Sequence, residues 1–290
     1  MHRQSTHYIS DVIMASTTHS KGRRIDHVDT KYITDAESPV SEKVTKQRPR
    51  TGVFTKSLLD EIAYILPLIP VYDDHEEIKK FICDNLRYSA EYSRLRVSRF
   101  IVQRIFPSES VNPAIRLFAK KFSGRQELRD VIFYMFLKAE PLMEQIINDL
   151  FVPAMNSGSI RRSIVNEYLE EKFPNMKSAR YCSRAAAQAL KETKLAKTTQ
   201  DSISLAYRSP LIFSFGYILH NEFPRPGIHP IKDLENNSTV RAMFWYPEAI
   251  LPMLYELRNQ GIISRVSEID TVRQFSTKYT LDEYVAQVAG

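Results

Sequence analysis

Glycine, cysteine and long apolar runs are all scarce in this chain of 290 residues. Its eight glycines form neither of the common glycine-rich phosphate loops, so the sequence has no nucleotide-binding signature of that kind. The two cysteines, Cys83 and Cys182, stand far apart and indicate neither a disulfide framework nor a zinc site. No apolar stretch approaches the ~18 residues that a membrane-spanning helix needs.

Signals for secretion and for catalysis are missing as well. The first residues contain no apolar segment of the secretory type, and together with the low cysteine content this predicts a cytoplasmic protein with no membrane partner. His220, His229 and Asp233 are a conceivable metal site, but His220 is near a helix end and His229 is beside prolines, which favours structural roles. We therefore expect no enzyme, no metal and no cofactor.

The composition is that of an ordinary globular protein with a basic middle. Apolar residues make up 43% and charged residues 26%, and the net charge of +6 is modest. The positive charge is concentrated in residues 87–130 and 156–207, whereas the part from Arg208 onward is close to neutral. This concentration of positive charge in the middle of the chain is a stronger indication of an anionic partner than the net charge alone.

The order of patterns predicts a mainly α fold in which a helical bundle is followed by two winged-helix modules with small β-hairpin wings. Polar composition predicts a disordered basic tail over residues 1–51. We place the bundle at residues 52–155, a winged-helix-like module at 156–207 and a C-terminal winged-helix module at 208–290. The acidic run before Ile78 predicts a helix start, and Pro141 predicts a kink or break in a long helix.

The C-terminal module has the clearest pattern. Leu251, Leu254, Leu257 and Ile263 give a helix one apolar stripe, and Gly261 provides the left-handed position that ends it. Two β-branched and aromatic runs around a polar turn follow, which predicts a hairpin over residues 264–281. A helix followed by a hairpin is typical of the recognition helix and wing of a DNA-binding module.

The middle module has the same order. Its pattern predicts a helix over residues 160–173, a second helix that Ser178 caps and that runs to Leu190, and short strands at 194–197 and 202–207. In the second helix Arg180, Arg184, Gln188 and Lys191 share one face, while alanines occupy another.

Basic and amide side chains on these helices and hairpins are the candidate nucleic-acid contacts, because cations neutralise phosphates and a helix fits the major groove. The candidates are Arg161, Arg162, Arg180, Arg184, Gln188, Lys191, Lys194 and Lys197 in the middle module, and Arg258, Asn259, Arg265, Arg273 and Lys278 in the C-terminal module. Two plainer interpretations remain open. Long basic side chains also cover ordinary solvated helices, and many near-neutral winged helices bind proteins.

Part of the chain resembles the BrxA family of BREX phage-defence proteins. The resemblance lies in an arginine-rich helix (Arg94 to Phe106), the long helix Glu127 to Leu150 and the module Ile160 to Thr198, and it is one of element order. It covers about half of the chain. It implies a bundle similar to the NusB fold, a winged-helix portion and DNA binding without catalysis within a bacterial defence system.

Three hypotheses follow. The first is a non-enzymatic protein that binds duplex DNA, with other defence-system proteins as further partners. The second is an adaptor or transcriptional regulator whose winged helices bind other proteins. The third is RNA binding through the arginine-rich, NusB-like bundle.

Overall fold

The computed structural model describes residues 53–72, 74–107, 111–269 and 272–290, and these all belong to one compact unit. The predicted disordered tail, residues 1–51, lies outside the described residues. The division of the remainder at residues 155 and 207 stays a prediction.

The first part of the chain is helical. Its helices are α1 (Leu59–Ile65), α2 (His75–Asn85), α3 (Glu91–Ile105), α4 (Pro113–Lys121), α5 (Gln126–Ala139) and α6 (Pro141–Ile146). The predicted acidic helix start is confirmed, because the Asp74 side chain accepts a hydrogen bond from the backbone N–H of Glu76 at 3.0 Å. The predicted break is confirmed too: α5 ends at Ala139, and Pro141 begins α6.

Helix α5 is the central element of this bundle. It is buried from Val131 to Leu137 without interruption, so apolar side chains surround it on all sides. It packs against α1 and α3 within the bundle, and a later helix covers another of its sides. A helix that is apolar all round is stable only inside a core, which explains why α5 carries several of the bundle's large buried aromatics.

The middle of the chain contains β1 (Ser159–Arg161), α7 (Arg162–Lys172), α8 (Ala179–Glu192), β2 (Ala196–Thr198) and β3 (Ser202–Leu205). The strands form an antiparallel sheet in the order β1-β3-β2. The predicted helix over 160–173 therefore starts two residues late, because Ile160 is buried in β1 opposite Ile203. Ser178 precedes α8 as predicted, but its side chain makes no capping hydrogen bond.

The last part has α9 (Ile212–Glu222), β4 (Gly227–Pro230), α10 (Ile231–Glu235), α11 (Ser238–Arg241), α12 (Ile250–Asn259), β5 (Ile263–Ile269), β6 (Val272–Thr277) and α13 (Leu281–Ala289). The predicted hairpin is confirmed as β5 and β6, and β4 adds to it in the order β4-β6-β5. Gly261 has a φ of 71° after α12, the left-handed position that the sequence predicts. The assignment of Ile263 to the apolar stripe of this helix is wrong, because the chain turns at Gly261 and Ile263 is the buried first residue of β5. The described residues are thus mainly helical, with two small three-stranded antiparallel sheets.

The last part of the chain is docked on the bundle through buried contacts. Helix α9 packs on α5, and α13 packs on α4 and α9. The fully buried Asp130 of α5 accepts hydrogen bonds from Arg208 at 2.9 Å, Ser214 at 3.1 Å and Gln126 at 2.8 Å. A buried carboxylate needs such partners, so these hydrogen bonds help to fix the position of α9 on the bundle.

Candidate nucleic-acid interface

Helix α8 separates its charged and apolar residues onto two faces. Its buried side is formed by small and apolar residues: Ala179, Cys182, Ser183, Ala185, Ala186, Ala187, Ala189 and Leu190. Its other side exposes Arg180, Arg184, Gln188 and Lys191, as the helical spacing predicts. Small buried residues let α8 pack closely on α7 and α1, so the long basic side chains lie on the open surface.

The two α8 arginines are accessible. The Arg180 side chain is 80% exposed, and its guanidinium lies 3.5 Å from the carboxylate of Glu170 on α7, which is also exposed. An exposed ion pair of this kind contributes little to stability, so Arg180 can readily exchange the Glu170 carboxylate for another anion. Within the described residues Arg184 and Lys191 have no carboxylate at ion-pair distance.

An open groove of about 670 Å³ lies between the end of α7 and the start of α8. It is lined by Glu170, Phe173, Asn175, Met176, Lys177, Arg180, Tyr181 and Arg184. Asn175 has a φ of 66°, a conformation that asparagine tolerates and that the tight turn between the helices requires. The groove thus places aromatic and cationic groups together at the N-terminal end of α8.

Tyr181 in this groove is a residue that reasoning from the sequence missed. Its side chain is 57% exposed although it lies on an otherwise well-packed helix. The sequence contained a signal for its exposure. Tyr181 lies between Arg180 and Arg184 in the chain, outside the set of small residues that form the buried face of α8. Composition alone gives no such signal, since tyrosine is found in cores as well as on surfaces.

The other middle-module candidates surround α8. Arg161 ends β1 and is exposed, whereas Arg162 begins α7 and is half-buried. Lys194 has a φ of 59° in the turn that leaves α8, and Lys197 is exposed on β2. The structure therefore keeps all eight candidates of this module accessible, with Arg162 the least so.

The C-terminal candidates are also accessible, but several are engaged with neighbouring groups. Arg258 donates to Asn259 at 3.0 Å, and Lys278 lies over the Tyr279 ring. Arg273 is paired with Glu268 at 3.3 Å and with Glu235 at 3.1 Å.

The surface around these residues is mixed in charge. Arg265 is exposed on β5, while Glu248 just before α12 and Glu256 within it are exposed as well. Helix α12 therefore exposes one carboxylate, and a second lies just before it, whereas the exposed face of α8 is formed by Arg180, Arg184, Gln188 and Lys191.

His220 and Cys182, two residues of the kind that bind metals or act as nucleophiles, are buried in the fold. No cluster of three metal-ligating side chains is found among the described residues. His220 lies against Tyr284 with its Nδ1 2.8 Å from the Gly216 carbonyl oxygen, so it has the structural role favoured above. Burial raises the pKa of the Cys182 thiol to about 12, which keeps it protonated and unreactive.

Comparisons with known proteins leave the interface to be interpreted from its geometry. No protein-family model matches the chain, and neither the curated proteins nor the solved structures contain a match. In the part of the chain that the structure describes, every helix is too short or too polar to cross a membrane.

Proposed function

We propose that this protein binds duplex DNA, without catalysis, through the exposed face of α8. The support begins with topology. The middle order β1-α7-α8-β2-β3, with strands arranged β1-β3-β2, is compatible with a winged helix, and in this proposal α8 is its recognition helix. The C-terminal order α9-β4-α10-α11-α12-β5-β6 has the same strand arrangement, β4-β6-β5, and contains two more helices.

One observation carries the proposal: α8 presents Arg180, Arg184 and Lys191 to solvent on a face whose opposite side is packed with alanines. A recognition helix enters the major groove with its N-terminal residues nearest the base edges. Arg180 and Arg184 occupy that part of α8. Residues 156–207 contain nine basic and five acidic residues, so the surrounding surface also attracts phosphates.

A gel-shift titration of duplex DNA at several salt concentrations tests the proposal. We expect affinity to fall steeply with salt, because each neutralised phosphate contributes about 0.9 to the slope of log K against log salt. The Arg180→Glu/Arg184→Glu variant should bind duplex at least tenfold more weakly and with a smaller slope.

A matched control separates a specific contact from net charge. The Lys120→Glu/Lys121→Glu variant makes the same charge change on the exposed end of α4. It should lose much less affinity. Equal losses in both variants, or no retardation of any duplex at low salt, would exclude α8 as the binding face.

A second candidate function, protein binding by the C-terminal module, is favoured by a different observation. Ile228, Ile269 and Val272 are exposed by 68%, 59% and 57% on β4, β5 and β6. Exposed aliphatic side chains on a near-neutral sheet suit a protein partner better than phosphates. Co-purification after nuclease treatment tests this function. The adaptor function is supported if the wild type retains a protein partner that the Ile228→Lys variant loses, while the variant binds duplex DNA with unchanged affinity.

The proposal extends to a place in a bacterial anti-phage defence system, for which the resemblance of residues 87–197 to the BrxA family is the support. Genes encoded beside this one provide the test. Neighbouring methyltransferase, ATPase and alkaline-phosphatase-like genes are expected under this proposal, and their absence would remove it while leaving the DNA-binding proposal intact.

A further inference from the structure

The four arginines of α3 have two different roles. Arg94 donates to main-chain carbonyls of the preceding turn at 2.9 and 3.0 Å, and the buried Arg104 pairs with Glu140 at 3.0 Å. Arg96 and Arg99 are exposed, and neither has a salt-bridge partner among the described residues. The fold therefore engages Arg94 and Arg104 in polar contacts. Arg96, whose guanidinium lies 5.9 Å from the centre of the Phe100 ring, and Arg99 stay exposed to solvent.

An exposed aromatic side chain lies on the same face. Tyr92 is 76% exposed, and within the described residues it has no hydrogen-bond or ring partner. Tyr92, Arg96 and Arg99 follow the spacing i, i+4, i+7, so they form one row along the helix. The only acidic residue of α3 is Glu91 in its first turn, so this row is positively charged.

We infer that this row, Tyr92, Arg96 and Arg99, is a second binding site, and that its ligand is single-stranded nucleic acid. Guanidinium groups neutralise successive phosphates of a strand, and a flat exposed ring stacks on an unpaired base. A duplex keeps its bases stacked inside, so it offers the arginines phosphates but offers Tyr92 nothing to stack on. The combination of ring and cations therefore favours an open strand.

The row lies on a different helix from the α8 face. Helix α3 packs on α2 and α5, whereas α8 packs on α7 and α1. No part of the DNA-binding proposal is needed for the α3 inference. The two sites can be tested independently on the same full-length protein.

Fluorescence anisotropy with labelled oligouridine, oligothymidine and a duplex of equal length provides the test. Tyr92→Ala should weaken binding to the single strands by about fivefold or more, as expected when one base stack is removed, and leave duplex affinity unchanged. Tyr92→Phe keeps the ring and should retain wild-type affinity. The relative affinities for oligouridine and oligothymidine show whether the strand preferred is RNA or DNA.

The cationic half of the site is tested by salt dependence. For single strands, Arg96→Gln/Arg99→Gln should lower the slope of log K against log salt by roughly 1.4. Each phosphate that an arginine neutralises on a single strand contributes about 0.7 to that slope. Lys120→Gln/Lys121→Gln is the charge-matched control and should leave the slope unchanged. Arg180→Glu/Arg184→Glu should weaken duplex binding and spare the single strands, so failure at one site is distinguishable from failure at the other.

Two results would overturn the inference. One is wild-type single-strand affinity in Tyr92→Ala. The other is competition by polyglutamate as effective as that by oligouridine, because it would assign Arg96 and Arg99 to an acidic protein segment instead.

Discussion

The carboxylate of Glu192, in the last turn of α8, accepts a hydrogen bond from the backbone N–H of Leu59, with 3.0 Å between Oε2 and the nitrogen. The Ser57 hydroxyl donates to the same oxygen. Helix α1 has no capping side chain at its N-cap position, where Leu58 has a left-handed conformation with a φ of 64°. A residue of α8 thus caps a bundle helix, which ties the proposed recognition helix to the bundle.

Replacing this cap should lower stability. We expect Glu192→Ala to reduce the free energy of unfolding by about 1–2 kcal/mol, since it removes the acceptor of the Leu59 N–H and of the Ser57 hydroxyl. Urea unfolding followed by circular dichroism measures the change. Glu192→Gln keeps an acceptor oxygen and should lose less stability. Glu171 is exposed on α7, so Glu171→Ala should lose almost no stability. Equal losses for Glu192→Ala and Glu171→Ala would argue against the cap.

The pairing of Glu170 with Arg180 should compete with DNA. Glu170→Gln removes a carboxylate 3.5 Å from the guanidinium, so duplex affinity should rise by about two- to fivefold, within the ~1 kcal/mol limit of an exposed pair. Gel-shift titration at low salt measures this rise. Glu171→Gln changes the neighbouring residue in the same way and serves as the control. A decrease in affinity in Glu170→Gln would show instead that Glu170 positions Arg180 for binding.

Gly216 in α9 should tolerate no side chain. A Cβ built there would lie 2.6 Å from the Tyr284 hydroxyl oxygen and 2.8 Å from the adjoining ring carbon. We expect Gly216→Ala to destabilise the protein by about 1–3 kcal/mol, because Tyr284 is fully buried and its hydroxyl donates a hydrogen bond to the Phe213 carbonyl oxygen at 2.8 Å. Gly227→Ala is the matched control, as its nearest neighbours lie 3.8 Å away or farther. Equal thermal stability of the two variants would contradict this packing.

Stability should fall in mild acid because of His220. Burial lowers its pKa from 6.5, so the folded state resists protonation that the unfolded state accepts. The unfolded state therefore binds more protons as pH drops below 6.5, and the free energy of unfolding decreases by up to ~1.4 kcal/mol per pH unit until the folded pKa is reached. Urea unfolding at several pH values between about 5 and 7 measures this slope.

The variant His220→Gln isolates this residue. It removes the titrating ring, so the pH dependence of its stability over the same range should be flatter than that of the wild type. An unchanged slope would mean that other groups cause the acid sensitivity.

The helical pattern and local signals were sufficient to predict much of the fold. The Asp74 start, the break before Pro141, the left-handed Gly261 and the hairpin after it are all observed. Each depends on residues within a few positions of one another. The strand Ser159–Arg161 was missed because its partner, β3, lies about forty residues later and no local pattern reports that pairing.

For the candidate site, too, local features could be predicted from the sequence and contacts between distant residues could not. The sequence predicted that Arg180, Arg184, Gln188 and Lys191 share a face, because helical spacing alone determines this. It did not reveal that Arg273 is held by Glu235, a residue from another element, or that Glu192 caps α1. Nor did it distinguish the engaged arginines of α3 from the open ones.

By itself, then, the sequence determined the positions of most helices, their apolar faces and the basic middle of the chain, since these follow from local spacing and composition. Only the tertiary structure decided which charges are open to a ligand. Arg104 and Arg96 stand on one helix, yet one is buried against Glu140 and the other is exposed. The physical reason is that the environment of a side chain depends on residues that are distant in the chain and close in space.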